Sequence, residues 1–338
     1  MDWFRKRYKW LIFYSVTYIL LMLFFVFPLQ YELLLPGGVQ YSNVVSIDNA
    51  YETNGSFNSS YVSVVTRPSP FQFLLTKLNS RVDVIELSES ASDLSLKEMN
   101  YKSNLYKISS VNAALIAAYN QANKNLVYQE NGVVIIDRIY ETPAYDKINI
   151  GDIIVKINNQ EIKNYHDLTI VLEKITCQEL FTMTVKRNTE LIKLTISKQP
   201  YENTCIIGIH QSYTFTDYKF DYHKSEPKIK KINYAGFGPS AGLIQALSIY
   251  NMVTPSDITY GLKIAGTGTI DEAGNVGPIG GIKQKIFGAC KDQVDIFFTP
   301  KEHYEAAISA REIMKSDLII VSVNTLSDAI NYLRENYG

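Results

Sequence analysis

Residues 236–243 read GFGPSAGL, and residues 266–285 read GTGTIDEAGNVGPIGGIKQK. In the first stretch Ser240 lies among glycines and directly precedes a run of helical composition, which predicts a nucleophile on a tight turn. In the second stretch, small and apolar residues lead into a helix whose first lysine is Lys283. Burial against apolar groups destabilises an ammonium ion and lowers its pKa, so such a lysine can accept the serine proton. The sequence therefore predicts a Ser240–Lys283 dyad and leaves Lys285 in solvent.

The pattern G-x-S-x-G around Ser240 also fits the nucleophile elbow of α/β-hydrolases. That elbow needs a buried strand upstream, and an acid followed by a histidine downstream. The upstream segment is charged, and the one downstream histidine, His303, lies in a predicted surface helix. His210 and His223 lie upstream in polar, Tyr-rich sequence, which predicts solvated side chains. An α/β-hydrolase-like esterase stays as an alternative.

Together the two stretches resemble the proteolytic domain of Lon-type Ser/Lys peptidases, including the interval from serine to lysine. This resemblance implies that Ser240 is the nucleophile, that Lys283 is the general base, and that Thr267 orients the lysine. Backbone amides at the start of the helix after Ser240 would suit an oxyanion hole, since helix N-termini present free N–H groups. Gly236 and Phe237 stand where Lon enzymes often carry an acidic residue, which bears on how the site opens.

Residues 126–199 predict a separate unit. The pattern indicates a strand, a short turn, two strands around a glycine, a helix capped by Asn164, and a closing hairpin around Asn188. This order of elements, and the phrase GDIIVKINNQEI at 151–162 in particular, resembles a bacterial PDZ domain.

In PDZ domains an extended peptide, usually a free C-terminus, adds as a strand to a sheet edge beside the long helix. The resemblance implies that backbone amides near Asn131, Gly132 and Val133 receive the carboxylate. The groove would lie between the 133–138 strand and the 165–175 helix. The alternative is a PDZ fold that only docks against its neighbour.

The N-terminus predicts a membrane anchor. Residues 10–31 contain no charged residue and are long enough to cross a bilayer core, and the basic segment RKRYK at 5–9 precedes them. The positive-inside rule then keeps residues 1–9 in the cytoplasm and places the rest outside the cell membrane. The apolar run is too long for a cleaved signal peptide, and no A-x-A-like cleavage site follows it. We therefore expect an uncleaved signal anchor with both domains extracellular.

The remaining sequence predicts one catalytic domain, of α+β or α/β class, that the PDZ domain interrupts. Residues 38–125 would supply its N-terminal part, with a hairpin whose turn lies within 49–58 and a helix capped by Ser69. Residues 200–338 would supply the rest, as alternating strands and helices. The fold is thus a Lon-type proteolytic domain with an inserted PDZ domain behind one transmembrane helix.

Composition excludes several classes of function. A net charge of −1 supplies no field for nucleic acid. Cys177, Cys205 and Cys290 form neither a CxxC pair nor a zinc pattern, and their odd, sparse set argues against a disulfide framework. No metal or cofactor is expected. No G-x-x-x-x-G-K-[ST] motif occurs, so the sequence predicts no ATPase module in this chain. Lon-type domains commonly form rings, so a homo-oligomer stays open.

The whole layout resembles the membrane-anchored Lon-like proteases of Gram-positive bacteria, a group that includes enzymes trimming peptide pheromones outside the cell. The resemblance implies an ATP-independent endopeptidase that cleaves exported peptides or unstructured segments. The alternative from another class is a catalytically inactive, anchored PDZ scaffold. That alternative is disfavoured because Ser240, Lys283 and Thr267 stand in unbroken motifs.

Overall fold

The structure, a computed structural model, describes residues 2–87, 94–139, 142, 144–201, 204–209, 214–234 and 238–338. In this part of the chain the helices are α1 Asp2–Val26, α2 Pro70–Thr76, α3 Leu96–Gln121, α4 Tyr165–Glu173, α5 Gly242–Val253, α6 Ile282–Lys291, α7 Tyr304–Met314 and α8 Leu326–Tyr337. The strands are β1 Tyr31–Tyr41, β2 Val45–Ile47, β3 Ser56–Thr66, β4 Asp83–Glu86, β5 Tyr128–Ile135, β6 Ile153–Ile157, β7 Gln160–Glu161, β8 Leu180–Arg187, β9 Glu190–Ser197, β10 Gln199–Tyr201, β11 Thr204–Ile206, β12 Thr214–Phe220, β13 Ile229–Ile232, β14 Lys263–Gly266, β15 Thr269–Ile270, β16 Val276–Gly277, β17 Ile296–Pro300 and β18 Ile319–Val323.

Helix α1 is long and apolar enough over Arg7–Val26 to cross a membrane, and none of that segment is buried in the protein. The helix ends at Val26, short of the predicted end at residue 31, because Pro28 disfavours a helical conformation in the residue before it. The chain enters β1 at Tyr31, so the last residues of the predicted span already belong to the folded domain.

One mixed sheet joins strands from both sides of the PDZ unit, in the order β18-β17-β14-β3-β1-β4. Strand β1 pairs antiparallel with β3 and β4, whereas β14 runs parallel to both β3 and β17. Helices α3 and α5 pack together in the main core, where the small side chains of Ala114, Ala117 and Ala118 are fully or almost fully buried. We call this sheet and its helices the α/β unit.

The predicted hairpin with its turn within 49–58 does not form. Strand β3 pairs with β1, and β2 pairs with β13, which follows the PDZ unit in the chain. Strand β1 runs through Pro36 and the glycines after it with a shift in register. A Cβ atom on Gly37 would lie 2.1 Å from the carbonyl oxygen of Tyr61, so only glycine permits this close crossing.

The predicted helix caps are confirmed. Ser69 accepts from the Gln72 N–H at the start of α2, and the Gln72 side chain closes a capping box. Asn164 caps α4 by accepting from the Asp167 N–H at 2.9 Å. These ends depend on residues three positions apart, which is why local sequence is enough to predict them.

The PDZ unit has its own sheet, in the order β12-β5-β6-β8-β9, with β7 paired to β6. Its separate core is built on β5, β6, β8 and α4, with fully buried side chains such as Val133, Ile154 and Met183. Strand β12 lies beyond the predicted boundary at residue 199, yet it pairs along β5 in this sheet. The sheet of the PDZ unit therefore ends in a strand that the sequence assigned to the other domain.

Candidate active site

Ser240 sits on a single 3₁₀ turn, Pro239–Ala241, that leads directly into α5. As a whole residue, Ser240 is half-buried. Gly242 allows the turn to approach the β15–β16 hairpin, because a Cβ atom there would lie 2.8 Å from Ile270 Cγ2. The turn thus holds Ser240 against the second of the two sequence stretches.

Backbone hydrogen bonds join the two stretches at the serine itself. The Ser240 carbonyl accepts from the Gly268 N–H at 2.7 Å and from the Thr267 hydroxyl at 3.0 Å. In return, the Leu243 N–H donates to the Gly268 carbonyl at 3.1 Å. These bonds fix the position of the serine backbone relative to β14 and the strand that follows it.

The base position next to Ser240 is occupied by Lys285. Its Nζ lies 2.8 Å from Ser240 Oγ and 2.8 Å from Thr267 Oγ1. Lys285 is only 3 % exposed, and Thr267 is fully buried. Thr267 therefore lies beside a lysine, but this lysine is Lys285 and not the predicted Lys283.

The prediction that Lys283 is the base is wrong, and so is the prediction that Lys285 stays in solvent. Lys283 is exposed on α6, whereas Lys285 is buried 45 residues beyond Ser240. Two positions along a helix rotate the direction of the side chain by about 200°, so only one of the two lysines can face the core. The signal that could have chosen between them is the i, i+3, i+4, i+7 spacing, which groups Lys285 with the buried Ile282, Ile286 and Ala289.

The hydrogen bonds also determine which proton goes where. Thr267 commits its hydroxyl hydrogen to the Ser240 carbonyl, so its oxygen can only accept from Lys285. Burial lowers the pKa of Lys285 to about 7, and the neutral amine carries one lone pair. When the Lys285 amine directs an N–H at Thr267, its lone pair is available to the Ser240 hydroxyl 2.8 Å away. The arrangement can withdraw a proton from the serine near neutral pH.

The amides proposed for an oxyanion hole are already engaged. The N–H groups of Ala241 and Gly242 donate to the carbonyls of Gly238 and Pro239, and that of Leu243 donates to Gly268. A hole built from these amides would have to exchange those bonds for the oxyanion. Gly236 and Phe237, on the other side of the turn, lie outside the described residues.

The histidines of the described part take other positions. His303 Nε2 accepts from the Ile279 N–H at 3.0 Å and so supports the loop before α6. His223 is exposed in a turn after β12, and His210 lies outside the described residues. Since Lys285 holds the hydrogen-bonding position at Ser240, these contacts do not favour an esterase triad. Among the described residues, no group of three or more His, Cys, Asp or Glu side chains could hold a metal ion.

The predicted carboxylate site at Asn131, Gly132 and Val133 is not open. The Gly132 N–H donates to the Lys163 carbonyl at 2.8 Å, and the Asn131 side chain hydrogen-bonds the Asp217 carboxyl. Val133 pairs with β6 on one side and with β12 on the other. The prediction that this edge receives a peptide carboxylate is therefore wrong for the structure as it stands.

The chain itself fills the predicted peptide groove. Strand β12 pairs antiparallel with β5, and the Ile139 N–H extends this contact by donating to the Gly208 carbonyl at 2.9 Å. Ile207 and Ile209 are each 4 % exposed and join the core that contains Leu168. The Tyr165 N–H at the start of α4 donates to Thr216 Oγ1 at 3.2 Å. We call residues 207–209 with 214–216 the groove strand.

A disulfide lies beside this groove, against the prediction from the cysteine count. Cys177, shortly after α4, is bonded to Cys205 on β11, with the two Cα atoms 5.7 Å apart. Cys290 is a free thiol on α6. The pairing depends on the distance between the turn after α4 and strand β11, and a count of cysteines does not contain that distance.

Comparisons with known families agree with this geometry. Residues 212–335 match the model of the Lon protease (S16) C-terminal proteolytic domain, and residues 121–197 match that of the PDZ domain. The first match includes Ser240, Thr267 and Lys285. The matches confirm the predictions of a Lon-type serine peptidase domain and of a PDZ domain.

Individual relatives are similar over a limited part of their length. The Lon protease of the Aster yellows witches'-broom phytoplasma is 32 % identical over 117 residues, 35 % of this chain and 14 % of the relative. That of Clostridium beijerinckii is 35 % identical over 101 residues, 30 % of this chain and 12 % of the relative. A solved PDZ domain of an SdrC-like protein from Listeria monocytogenes is 20 % identical, with a TM-score of 0.22, and covers 23 % of this chain and 85 % of its own.

Proposed function

We propose that this chain is an ATP-independent serine endopeptidase, anchored in the cell membrane, that cleaves exported peptides or unstructured protein segments outside the cell. Ser240 is the nucleophile, Lys285 is the general base, and Thr267 positions the lysine. The observation that carries the proposal is the 2.8 Å contact between Lys285 Nζ and Ser240 Oγ. The burial that brings the pKa of this lysine to about 7 gives the contact its chemical meaning.

The reaction follows from these contacts. Neutral Lys285 takes the hydroxyl proton as Ser240 Oγ attacks the carbonyl carbon of the peptide bond. The resulting ammonium group then gives that proton to the departing amine nitrogen as the C–N bond breaks, which leaves an acyl-enzyme. Water then attacks the acyl carbon and loses a proton to the neutral Lys285 amine. The ammonium returns this proton to Ser240 Oγ as the ester bond breaks, which releases the acid product and restores the serine.

Thr267 stabilises both protonation states of the lysine. Its oxygen accepts an N–H from the neutral amine and from the ammonium ion alike. Its own hydroxyl hydrogen stays on the Ser240 carbonyl, so it also ties the lysine to the backbone of the nucleophile. A single buried side chain thus keeps the two reacting atoms in register through the cycle.

Two features support a location outside the cell membrane. Helix α1 offers a segment, Arg7–Val26, that could cross a bilayer, with basic residues at its N-terminal end. The Cys177–Cys205 disulfide is of the kind that persists in an oxidising compartment and is rare in the cytosol.

ATP independence rests on the sequence, which contains no G-x-x-x-x-G-K-[ST] motif in its 338 residues. Without a motor in the same chain, the site suits short or unstructured peptides. The intact contacts among Ser240, Thr267 and Lys285 do not favour an inactive scaffold.

The test uses the full chain in detergent micelles and a mixture of synthetic peptides, with and without ATP. Products are identified by mass spectrometry. We expect cleavage that does not depend on ATP and that is lost in Ser240→Ala. Equal cleavage by the parent and by Ser240→Ala would refute the proposal, as would cleavage that requires added ATP.

A further inference from the structure

A stripe of apolar side chains on α2 has no role in the site described above. Phe71, Leu74, Leu75 and Leu78 follow the i, i+3, i+4, i+7 spacing of one helix face. The turn continues past the end of α2, because the Leu78 N–H donates to the Leu75 carbonyl at 3.1 Å. We call these four residues the α2 stripe.

Most of the α2 stripe faces outward. Leu74 is 56 % exposed, Leu75 is 45 % exposed and Leu78 is 84 % exposed. No residue of α2 is buried. A helix that presents three neighbouring leucines to water in this way indicates a contact that the described part of the chain does not itself provide.

The two ends of the stripe differ in their surroundings. At its first residue, the Phe71 ring lies 4.8 Å from the ring of Phe25 and 6.0 Å from that of Phe24, between centroids. Both of these rings belong to the last turn of the Arg7–Val26 segment of α1. The α2 stripe is therefore a continuation of the apolar surface of the proposed anchor.

We propose that the α2 stripe lies in the outer boundary of the lipid bilayer, beside the point where α1 leaves it. This inference rests on the membrane placement in the proposed function. A bilayer core of roughly 30 Å takes about 20 residues of helix, so Phe24 and Phe25 mark its outer limit. Phe71 contacts them at that depth, and an interfacial helix buries its apolar face at the boundary between headgroups and acyl chains.

A lipid surface fits the stripe better than a second copy of this chain. A stable protein interface takes about 800 Å² from each partner. The stripe consists of three side chains on a helix of 7 residues and a fourth, Leu78, on the turn that follows it. Such a small apolar face is too short for a dimer but is enough to seat an already anchored protein on its membrane.

The contact between the α2 stripe and the bilayer also sets the distance of the dyad from the bilayer. Shortly after the stripe, the Arg81 carbonyl accepts from Gln284 Nε2 at 3.3 Å, and the Arg81 guanidinium lies 5.9 Å from the ring centre of Phe287. Gln284 and Phe287 flank Lys285 on α6. The stripe therefore holds the helix of the base close to the membrane, which favours substrate segments that emerge next to the bilayer.

Tryptophan fluorescence tests this placement on the full chain in phosphatidylcholine–phosphatidylglycerol vesicles. Natural tryptophans occur only at Trp3 and Trp10. One reporter keeps Trp10 in a Trp3→Phe background. The test reporter adds Leu78→Trp to a chain with Trp3→Phe and Trp10→Phe. The matched control places Leu191→Trp in the same background, since Leu191 is a 68 % exposed leucine of the PDZ unit.

Lipids brominated near the headgroup end of their acyl chains quench tryptophans at the bilayer boundary. We measure quenching as the fraction of emission intensity lost. For the Leu78→Trp reporter we expect a quenching of roughly half or more of that of the Trp10 reporter, with an emission shift to shorter wavelength. Leu74→Trp should behave alike, and Leu191→Trp should not be quenched.

Each other outcome is decisive. Quenching of Trp10 without quenching of Leu78→Trp and Leu74→Trp overturns the inference and leaves the anchor in place. Absence of quenching at Trp10 overturns the anchor and the inference together. A wavelength shift of Leu78→Trp that grows with protein concentration, without lipid quenching, overturns it in favour of a second copy. Peptide cleavage by the same vesicles tests the proposed activity separately.

Discussion

The Ser240 site and the groove of the PDZ unit are both surfaces for an extended peptide, and the protein leaves them in opposite states. At Ser240 the nucleophile is half-buried, and its base and the positioning threonine are already within hydrogen-bonding distance. At the groove, β12 occupies the free edge of β5, and Ile207 and Ile209 pack in the core that contains Leu168 of α4. Ser240, Lys285 and Thr267 are therefore in contact before a substrate arrives, while the amides next to the serine are still engaged. Peptide binding at the PDZ edge first requires the groove strand to leave.

A hydrogen bond connects the two regions. Tyr218, on β12, donates to Glu272 Oε1 at 3.0 Å. Glu272 lies in the turn of the β15–β16 hairpin, and β15 follows directly after Thr267 and Gly268. Displacement of β12 would break this hydrogen bond. The groove and the Ser240 site are thus in contact through one pair of side chains.

The largest expected effect separates the two lysines of α6. Lys285→Ala removes the base and should lower kcat/KM by about 10³-fold, in the range of a lost general base. Lys283→Ala is the matched control, since Lys283 is exposed one residue before Gln284 on the same helix, and it should stay within about twofold. Steady-state cleavage of a fluorogenic peptide measures both. Comparable losses in the two variants would contradict the assignment of the base.

The second effect concerns stability. The pKa of Lys285 is about 7 in the folded protein against 10.5 in the reference state, so folding carries a cost of order 5 kcal/mol when the amine must be charged. The unfolded chain binds more protons between these values, so stability should rise as pH rises from about 7 towards 10.5 and be flat below 7.

Lys285→Met removes that cost. The variant should unfold at a higher denaturant concentration than the parent at pH 6, and its advantage should shrink steadily above pH 7. Urea unfolding at several pH values, followed by circular dichroism, measures this difference. A parent that is more stable than Lys285→Met at pH 6 would show that the amine is not buried in the manner described.

The third effect is the pH dependence of cleavage. Only the neutral amine can accept the serine proton, so kcat/KM should rise tenfold per pH unit below about 7 and level off above it. The profile is recorded from pH 5.5 to 9.5 on a peptide without titrating groups. A rate that falls across this range, or that is flat, would rule out Lys285 as the base.

The smallest effect tests the filled groove. Ile207→Asp combined with Ile209→Asp places charges in a core where both side chains are 4 % exposed, and this should release the groove strand. Binding of a labelled peptide with a free, apolar C-terminus should then tighten about tenfold, since the parent rarely presents an open edge. Fluorescence anisotropy measures the affinity. Leu191→Asp, on an exposed strand, should bind as the parent does, and tight binding by the parent itself would show that the groove is already open.

Local patterns predicted much of this fold. The caps at Ser69 and Asn164 and the β8–β9 hairpin depend on residues close in sequence, and the structure contains all three. The pairing of β1 with β3 was missed, because a nearer partner in sequence also alternates apolar and polar residues. Pairing partners are decided by the whole sheet, which a local pattern does not contain.

The site was predicted in part. The two sequence stretches led to Ser240 and Thr267, but the base was assigned to the wrong lysine because the face of α6 was not compared with its apolar spacing. The disulfide and the groove strand could not be predicted in this way. Both depend on residues after 199 folding back onto the PDZ unit, a contact between segments that the pattern assigned to different domains.

The central sheet contains strands from before and from after the PDZ unit, and this order determines when during synthesis the proposed active site can form. Strand β3 lies against β14, with Ser59 opposite Gly266, and β14 leads directly to Thr267. The sheet that supports the dyad therefore cannot close until the ribosome has delivered the chain well beyond the PDZ unit, and the base on α6 arrives later still. During synthesis the chain therefore contains all strands of the PDZ unit before it contains Ser240, Thr267 and Lys285. The activity we propose is thus delayed until synthesis is nearly complete.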